Sequence, residues 1–257
     1  IKIILNLFNT GNFNSVIINS KKLIKKFPEY VVLYNILGSA YQNTEKFELA
    51  KNIFLKVIKM DPANIPAMNN LANVYKNIGE IQLSENIFEK ILKQKPDYIN
   101  AYINLGNLKR DNNDFEEAIN LYKKALTIND KASVTLYSLA LAYQGLGKFD
   151  LAISYAKKTL AVDPKFTQAD MLISQSSKYK IGDEHFIGMN SKLNNLEINK
   201  QQKINLLFAL AKASEDMGEV DKSFEYLDRG NLLKRSTIDF NINKEIKFFN
   251  EIKNIFT

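Results

Sequence analysis

The feature that most constrains this chain is a period of 34 residues. Tyr34, Leu37, Gly38, Tyr41, Ala50, Phe54 and Pro62 set a spacing that returns at Met68, Leu71, Ala72, Tyr75, Ser84, Phe88 and Pro96. A further step reaches Tyr102, Leu105, Gly106, Lys109, Ala118, Tyr122 and Asp130, and the next Leu136, Leu139, Ala140, Tyr143, Ala152, Ala156 and Pro164. Each such unit is too short to bury its apolar face alone and must stack on its neighbours. Within a unit the apolar residues follow i, i+3, i+4 spacing in two blocks, Tyr34 to Tyr41 and Phe47 to Ile58, so each unit is two amphipathic helices. Between the blocks lie Asn43-Thr44-Glu45, Asn77-Ile78-Gly79, Asp111-Asn112-Asn113 and Gly145-Leu146-Gly147, where Gly or Asn takes the left-handed conformation that turns the chain. Small residues at Gly38, Ala72, Gly106 and Ala140 face small residues at Ala50, Ser84, Ala118 and Ala152 and let the paired helices approach. Pro62, Pro96 and Pro164 end the second helix, because proline cannot continue the hydrogen-bond ladder.

These residues resemble the tetratricopeptide repeat, aromatic-x2-Leu-Gly-x2-Tyr, then Ala-x3-aromatic, then Pro. The match is tight in Val31 to Asn64, whereas Lys109, Asp130, Ala156 and Thr159 depart from it. The resemblance implies an all-α superhelix, an α-solenoid of antiparallel helix pairs, with first helices lining a concave face. The expected layout is a truncated first unit over 1–30, full units over 31–64, 65–98, 99–132 and 133–166, and a degenerate helix pair over 167–203. A further unit-like pair over 204–237 and a capping or linker helix over 238–257 complete it. The degenerate pair is read as helices from Gln168 to Tyr179 and from Glu184 to Leu196. The last helix, Asn243 to Phe256, carries Ile246, Phe249, Ile252, Ile255 and Phe256 on one side and is expected to cap the array.

The inventory argues against chemistry. The 257 residues are 46% hydrophobic and contain no cysteine, which provides a core and excludes disulfides, thiolate metal sites and cysteine nucleophiles. The one histidine, His185, has no second ligand and reads as an ordinary half-buried residue. Glu116–Glu117 and Glu215–Asp216 read as solvated helix positions. No phosphate-cradling Gly-rich loop follows a strand. No catalytic residue, metal or cofactor is therefore expected of this chain. No apolar run approaches the ~18 residues of a membrane span, and the expected location is the cytoplasm. The chain starts at Ile1 inside an apolar stretch, so its native N-terminus is read as missing; the cut is expected to expose Ile3, Ile4 and Leu7 and leaves the oligomeric state open.

Function is sought on the first helices. Off the apolar stripe these carry Asn35, Asn69, Asn70, Asn73, Asn104 and Asn107, with Lys76 and Arg110 in the same rows. An Asn amide both donates and accepts, so it can pair with the backbone of an extended peptide. The pattern resembles the asparagine ladder in the repeat superhelix of protein O-linked N-acetylglucosamine transferases, on Asn104-Leu105-Gly106 and Asn70-Leu71-Ala72. The competing reading is Asn on a solvated face driven by codon bias, since 32 of the 35 basic residues are lysine. Lys76 and Arg110 would favour an acidic segment or a C-terminal carboxylate. The formal charge of +7 is carried in part by Lys22, Lys56, Lys90, Lys124 and Lys158, joined by Lys25, Lys59 and Lys93. That stripe reads as a solvated outer face, favoured by the helix dipole, ahead of a nucleic-acid or membrane surface.

Residues 206–235 include Leu207-Phe208-Ala209-Leu210-Ala211 and, further on, Gly230-Asn231-Leu232-Leu233-Lys234-Arg235. They resemble a segment of bacterial proteins that join such repeats to a sulfotransferase domain. The phosphosulfate-binding loop of those enzymes is not in this sequence, so the resemblance implies no catalytic residue here. The reading for the chain is a non-catalytic protein–protein interaction scaffold that takes a protein or peptide partner. The alternative is the substrate-recognition region of a larger sulfotransferase.

Overall fold

The computed structural model describes residues 1–195, 197–238 and 242–255, and among them it holds fifteen helices and no strand. They form two compact bodies, Ile1–Gly147 and Lys148–Thr257. The N-terminal body contains α1 (Lys2–Asn9), α2 (Phe13–Lys26), α3 (Val31–Asn43), α4 (Phe47–Met60), α5 (Ile65–Asn77), α6 (Ile81–Gln94), α7 (Ile99–Asp111), α8 (Phe115–Ile128) and α9 (Ser133–Gly145). Successive pairs α1–α2, α3–α4, α5–α6 and α7–α8 are helical hairpins, and each second helix also packs on the next first helix. First helices touch one another as well, α3 with α5, α5 with α7 and α7 with α9, so they lie side by side.

The period explains how the hairpins close. Gly11, Glu45, Gly79 and Asn113, spaced by 34, all have positive φ, so a left-handed residue at the same place turns each of these four hairpins; at 43–45 it is Glu45 and not the expected Asn. Phe54, Phe88 and Tyr122 are fully buried between the helices of their units. A Cβ on Gly38 would come within 2.6 Å of the Phe54 ring, and one on Gly106 within 2.6 Å of the Tyr122 ring, so glycine sets how closely these helices approach. Asn12, Asn64 and Asp114 cap α2, α5 and α8 by accepting from the backbone N–H three residues on.

Lys109, which stands where the repeat wants Tyr, is satisfied by charge. Its ammonium lies 3.1 Å from both Glu85 of α6 and Glu117 of α8. Burial lowers its pKa, but the two carboxylates outweigh this and raise it. Glu117 is thus an ion-pair partner as well as a solvated residue. At the N-terminus, Ile3 is exposed and Leu7 half-buried, but Ile4 is buried against α2, because α1 turns that side inward.

The C-terminal body contains α10 (Phe149–Val162), α11 (Thr167–Ser176), α12 (Glu184–Asn195), α13 (Lys200–Asp216), α14 (Val220–Arg235) and α15 (Ile242–Ile255). Here α11 packs on α10 and on α13, α12 packs on α13, and α13 forms a hairpin with α14. The helix starting near Gln168 stops at Ser176, short of Tyr179, because Ser177 is extended. Asn199 and Gln202 form a capping box that starts α13. Leu196 and Phe256 lie outside the described residues, as does the side chain of Ile255. Of the apolar side expected on the last helix, Ile246 and Phe249 are exposed and Ile252 is half-buried.

Candidate functional site

The first helices of the N-terminal body bring the predicted asparagines into a row joined across repeat units. Asn70 Nδ2 of α5 donates to Ser39 Oγ of α3 at 3.3 Å, and Asn104 Nδ2 of α7 donates to Asn69 Oδ1 of α5 at 2.9 Å. The donors are one period apart and each reaches back to the preceding first helix. Asn35 Nδ2 donates to Asn64 Oδ1, the cap of α5, at 3.3 Å. Each such bond fixes an amide plane, and half-buried Asn70 and Asn104 each keep a second amide N–H and the Oδ1 outside these bonds.

Two of the eight predicted residues serve the fold. Asn69 is buried and accepts from Asn104. Asn107 Oδ1 accepts from the hydroxyl of fully buried Tyr122 at 2.8 Å. Burial pushes the Tyr122 hydroxyl up to about 12, so it remains a donor at neutral pH. Asn73 is half-buried on the same helix as Asn70. Sequence could not separate these roles, since period alone does not say which Asn meets a buried tyrosine.

The two cations converge on a carboxylate. Lys76 Nζ lies 2.5 Å from Asp111, and Arg110 Nη2 lies 3.1 Å from it. Burial raises the Asp111 carboxyl, but the hydrogen bonds from Lys76 and Arg110 outweigh this and hold it below its usual value. The trio carries one net positive charge instead of two. Beside the asparagine row, an open cleft of about 450 Å³ gathers Ser39, Gln42, Asn43, Asn70 and Asn77 next to Phe8. The periodic lysines on the second helices, Lys22, Lys56, Lys90, Lys124 and Lys158, are all exposed. Lys56 lies over the Tyr34 ring at 4.5 Å, where its stem covers apolar surface.

Three models of the tetratricopeptide repeat family match, over residues 31–64, 64–131 and 109–175, and together they run across more than half of the chain. The chain belongs to the tetratricopeptide repeat proteins. No curated protein matches the sequence. Among solved structures, a tetratricopeptide repeat protein from Parabacteroides merdae ATCC 43184 is 16% identical, with a TM-score of 0.63, covering 95% of this chain and 94% of that one. The pilF structure from Pseudomonas aeruginosa is 21% identical, with a TM-score of 0.60, covering 84% and 96%. These likenesses show the fold, an all-α tetratricopeptide solenoid.

In the C-terminal body of this tetratricopeptide protein, His185 is half-buried, as its sequence reading expects, and joins a polar network. Asp170 of α11 is fully buried; its carboxylate accepts from Lys192 Nζ at 2.7 and 2.9 Å and from His185 Nε2 at 3.0 Å. His185 Nδ1 lies 2.6 Å from the Tyr179 hydroxyl, whose pKa burial raises. With Nε2–H donating to the carboxylate, Nδ1 is left as the acceptor for the Tyr179 hydroxyl. Asp216, read as solvated, accepts from the Tyr179 backbone N–H at 3.1 Å and from Lys212 at 2.5 Å. The network ties α12 and the α11–α12 connection to α11 and α13. Among the described residues no group of three or more His, Asp or Glu could hold a metal ion, and no helix is long and apolar enough to cross a membrane.

Proposed function

We propose that this chain is a non-catalytic protein–protein interaction scaffold that holds an extended peptide of its partner along the first helices of the N-terminal body. The supporting observation is the pair of inter-unit hydrogen bonds, Asn70 to Ser39 and Asn104 to Asn69. They orient two amides one period apart, and a pre-oriented amide loses less freedom when it pairs with a peptide group. Asn73 extends the row on α5, whereas Asn35, whose Oδ1 is buried and whose Nδ2 donates to Asn64, braces the start of α5. A peptide read through its backbone needs no particular side chains, so affinity comes from the row and selectivity from its ends.

At the α7 end, the net positive charge of Lys76, Arg110 and Asp111 favours a partner with an acidic side chain or a C-terminal carboxylate. Arg110 uses one nitrogen for Asp111 and keeps donors for a second carboxylate. The alternative, substrate recognition for a sulfotransferase, rests on the resemblance of residues 206–235 alone.

The test is selection from a display library of unstructured peptides, followed by binding to the triple variant Asn70→Ala, Asn73→Ala, Asn104→Ala. Asn107 is left intact because its removal would strand the buried Tyr122 hydroxyl. The selected peptides are expected to lose at least about tenfold in affinity, the equivalent of ~1.4 kcal/mol, while the far-UV spectrum stays native. Equal binding by the variant and the native chain would exclude the asparagine row.

A further inference from the structure

The open cleft of about 450 Å³ lies at the α3 end of the asparagine row, and one residue gives it a sign. At the equivalent hairpin turns the array uses Gly11, Gly79 and Asn113, all uncharged, whereas the turn after α3 holds Glu45 at φ +57°. A left-handed backbone strains a residue that carries a Cβ and leaves glycine unstrained, so a glutamate kept there points to a task for its side chain. Glu45 is exposed on the cleft, and its carboxylate has no ion-pair or hydrogen-bond partner among the described residues. The cations of the flanking helices are committed elsewhere. Lys51 of α4 pairs with Glu48 at 2.6 Å and Lys76 of α5 with Asp111 at 2.5 Å, while Lys46, next to Glu45, does not line the cleft.

The rest of the lining suits a donor. Asn43 Nδ2 donates to the Ser39 carbonyl at 2.8 Å and Asn70 Nδ2 to Ser39 Oγ at 3.3 Å, so each amide has used one N–H and kept its Oδ1 as an acceptor. Half-buried Phe8 of α1 and Phe47 of α4 line the same cleft, and aromatic faces attract cations.

We propose that this cleft takes a basic side chain, the ammonium of a lysine or the guanidinium of an arginine, from the peptide that the asparagine row holds. Both groups donate and neither accepts, so they match a carboxylate, two amide oxygens and two aromatic rings. Resting on the reading of the first helices as a peptide site, this gives the partner segment a polarity. Its basic residue lies at α3, and its acidic residue or C-terminal carboxylate lies at α7 beside Arg110.

Two probes separate the cleft from the row. In a titration followed by backbone amide resonances, N-acetyl-arginine amide should shift Glu45, Phe47 and Asn70 saturably, and N-acetyl-norleucine amide should leave them in place. Glu45→Gln should weaken the arginine probe about threefold or more, the size of an exposed ion pair. Glu45→Gly should raise the thermal midpoint, because the turn loses its strain, and still weaken the probe, which a merely structural role would not do. Peptides selected from a display library on the native chain should carry Lys or Arg at one fixed position, and Glu45→Lys should select against it. Unmoved resonances with the arginine probe, or equal binding by Glu45→Gln, would overturn the proposal and leave the asparagine row to its own triple variant. Selected peptides that lose affinity for that triple variant but carry no basic residue would overturn it as well.

Discussion

Asp170 offers the sharpest test of how the irregular part of the chain is held. Its side chain is fully buried and takes three charge-assisted hydrogen bonds, two from Lys192 and one from His185. Removing one partner of a buried ion pair costs about 3–5 kcal/mol, because the other charge is left without compensation. Lys192 and His185 each keep 18% side-chain exposure, so water can reach them after the loss. Asp170→Ala should therefore sit near the low end, about 3 kcal/mol. Lys192→Met should cost a similar amount, since it leaves a buried carboxylate with His185 alone. The double variant should cost about 2 kcal/mol less than the sum, because the lone-charge penalty is counted twice in the singles. Urea unfolding by far-UV circular dichroism gives the overall loss, and hydrogen exchange over 167–216 localises it to the C-terminal body. A cost for Asp170→Ala below about 1 kcal/mol, or singles that add to within about 0.5 kcal/mol, would refute the account of this network as a buried ion pair.

Three further outcomes follow from the repeat geometry. Ser84 stands where other units have Ala50, Ala118 and Ala152, and its buried hydroxyl has no hydrogen-bond partner; Ser84→Ala should raise stability by about 1 kcal/mol, and a fall in the thermal midpoint would count against this. Gly106→Ala would place a methyl 2.6 Å from a Tyr122 ring that its bond to Asn107 keeps from swinging away, so a loss of about 1–3 kcal/mol is expected, with an unchanged denaturation midpoint as the contrary result. Asp111 has a folded pKa below its unfolded one, so its contribution is present above about pH 4 and is lost as pH falls through the folded value. Asp111→Asn should flatten that acid dependence, modestly because the carboxylate is 40% exposed, and an identical pH profile for the variant would rule it out.

The helix pairs α3–α4, α5–α6 and α7–α8 were legible because each of these units repeats the same buried positions, and a repeated core position carries its partner's spacing with it. The turn residues were legible at Gly79, Asn113 and Gly147, whereas at 43–45 the left-handed residue is Glu45 and not Asn43, which ends α3. Where the period fails, the sequence still placed two helices close to α11 and α12, but not the partners of their side chains. Lys109 is a departure from the repeat in sequence and an ion-pair bridge in the fold, because its two carboxylates come from helices on either side of it. His185 has no sequence neighbour that announces a role; its partners lie 6 and 15 residues away and meet it only when the α11–α12 connection folds over α11.

The candidate site divides along the same line. Sequence placed Asn35, Asn70, Asn73 and Asn104 on the first helices and put Lys76 and Arg110 in their rows. Tertiary structure alone decided that Asn69 and Asn107 serve buried partners, and that Lys76 and Arg110 meet at Asp111. The physical reason is one of range. Helical periodicity fixes which side of its own helix a residue occupies, whereas these hydrogen bonds and ion pairs depend on side chains distant in sequence that come within reach only when the helices pack and the units stack.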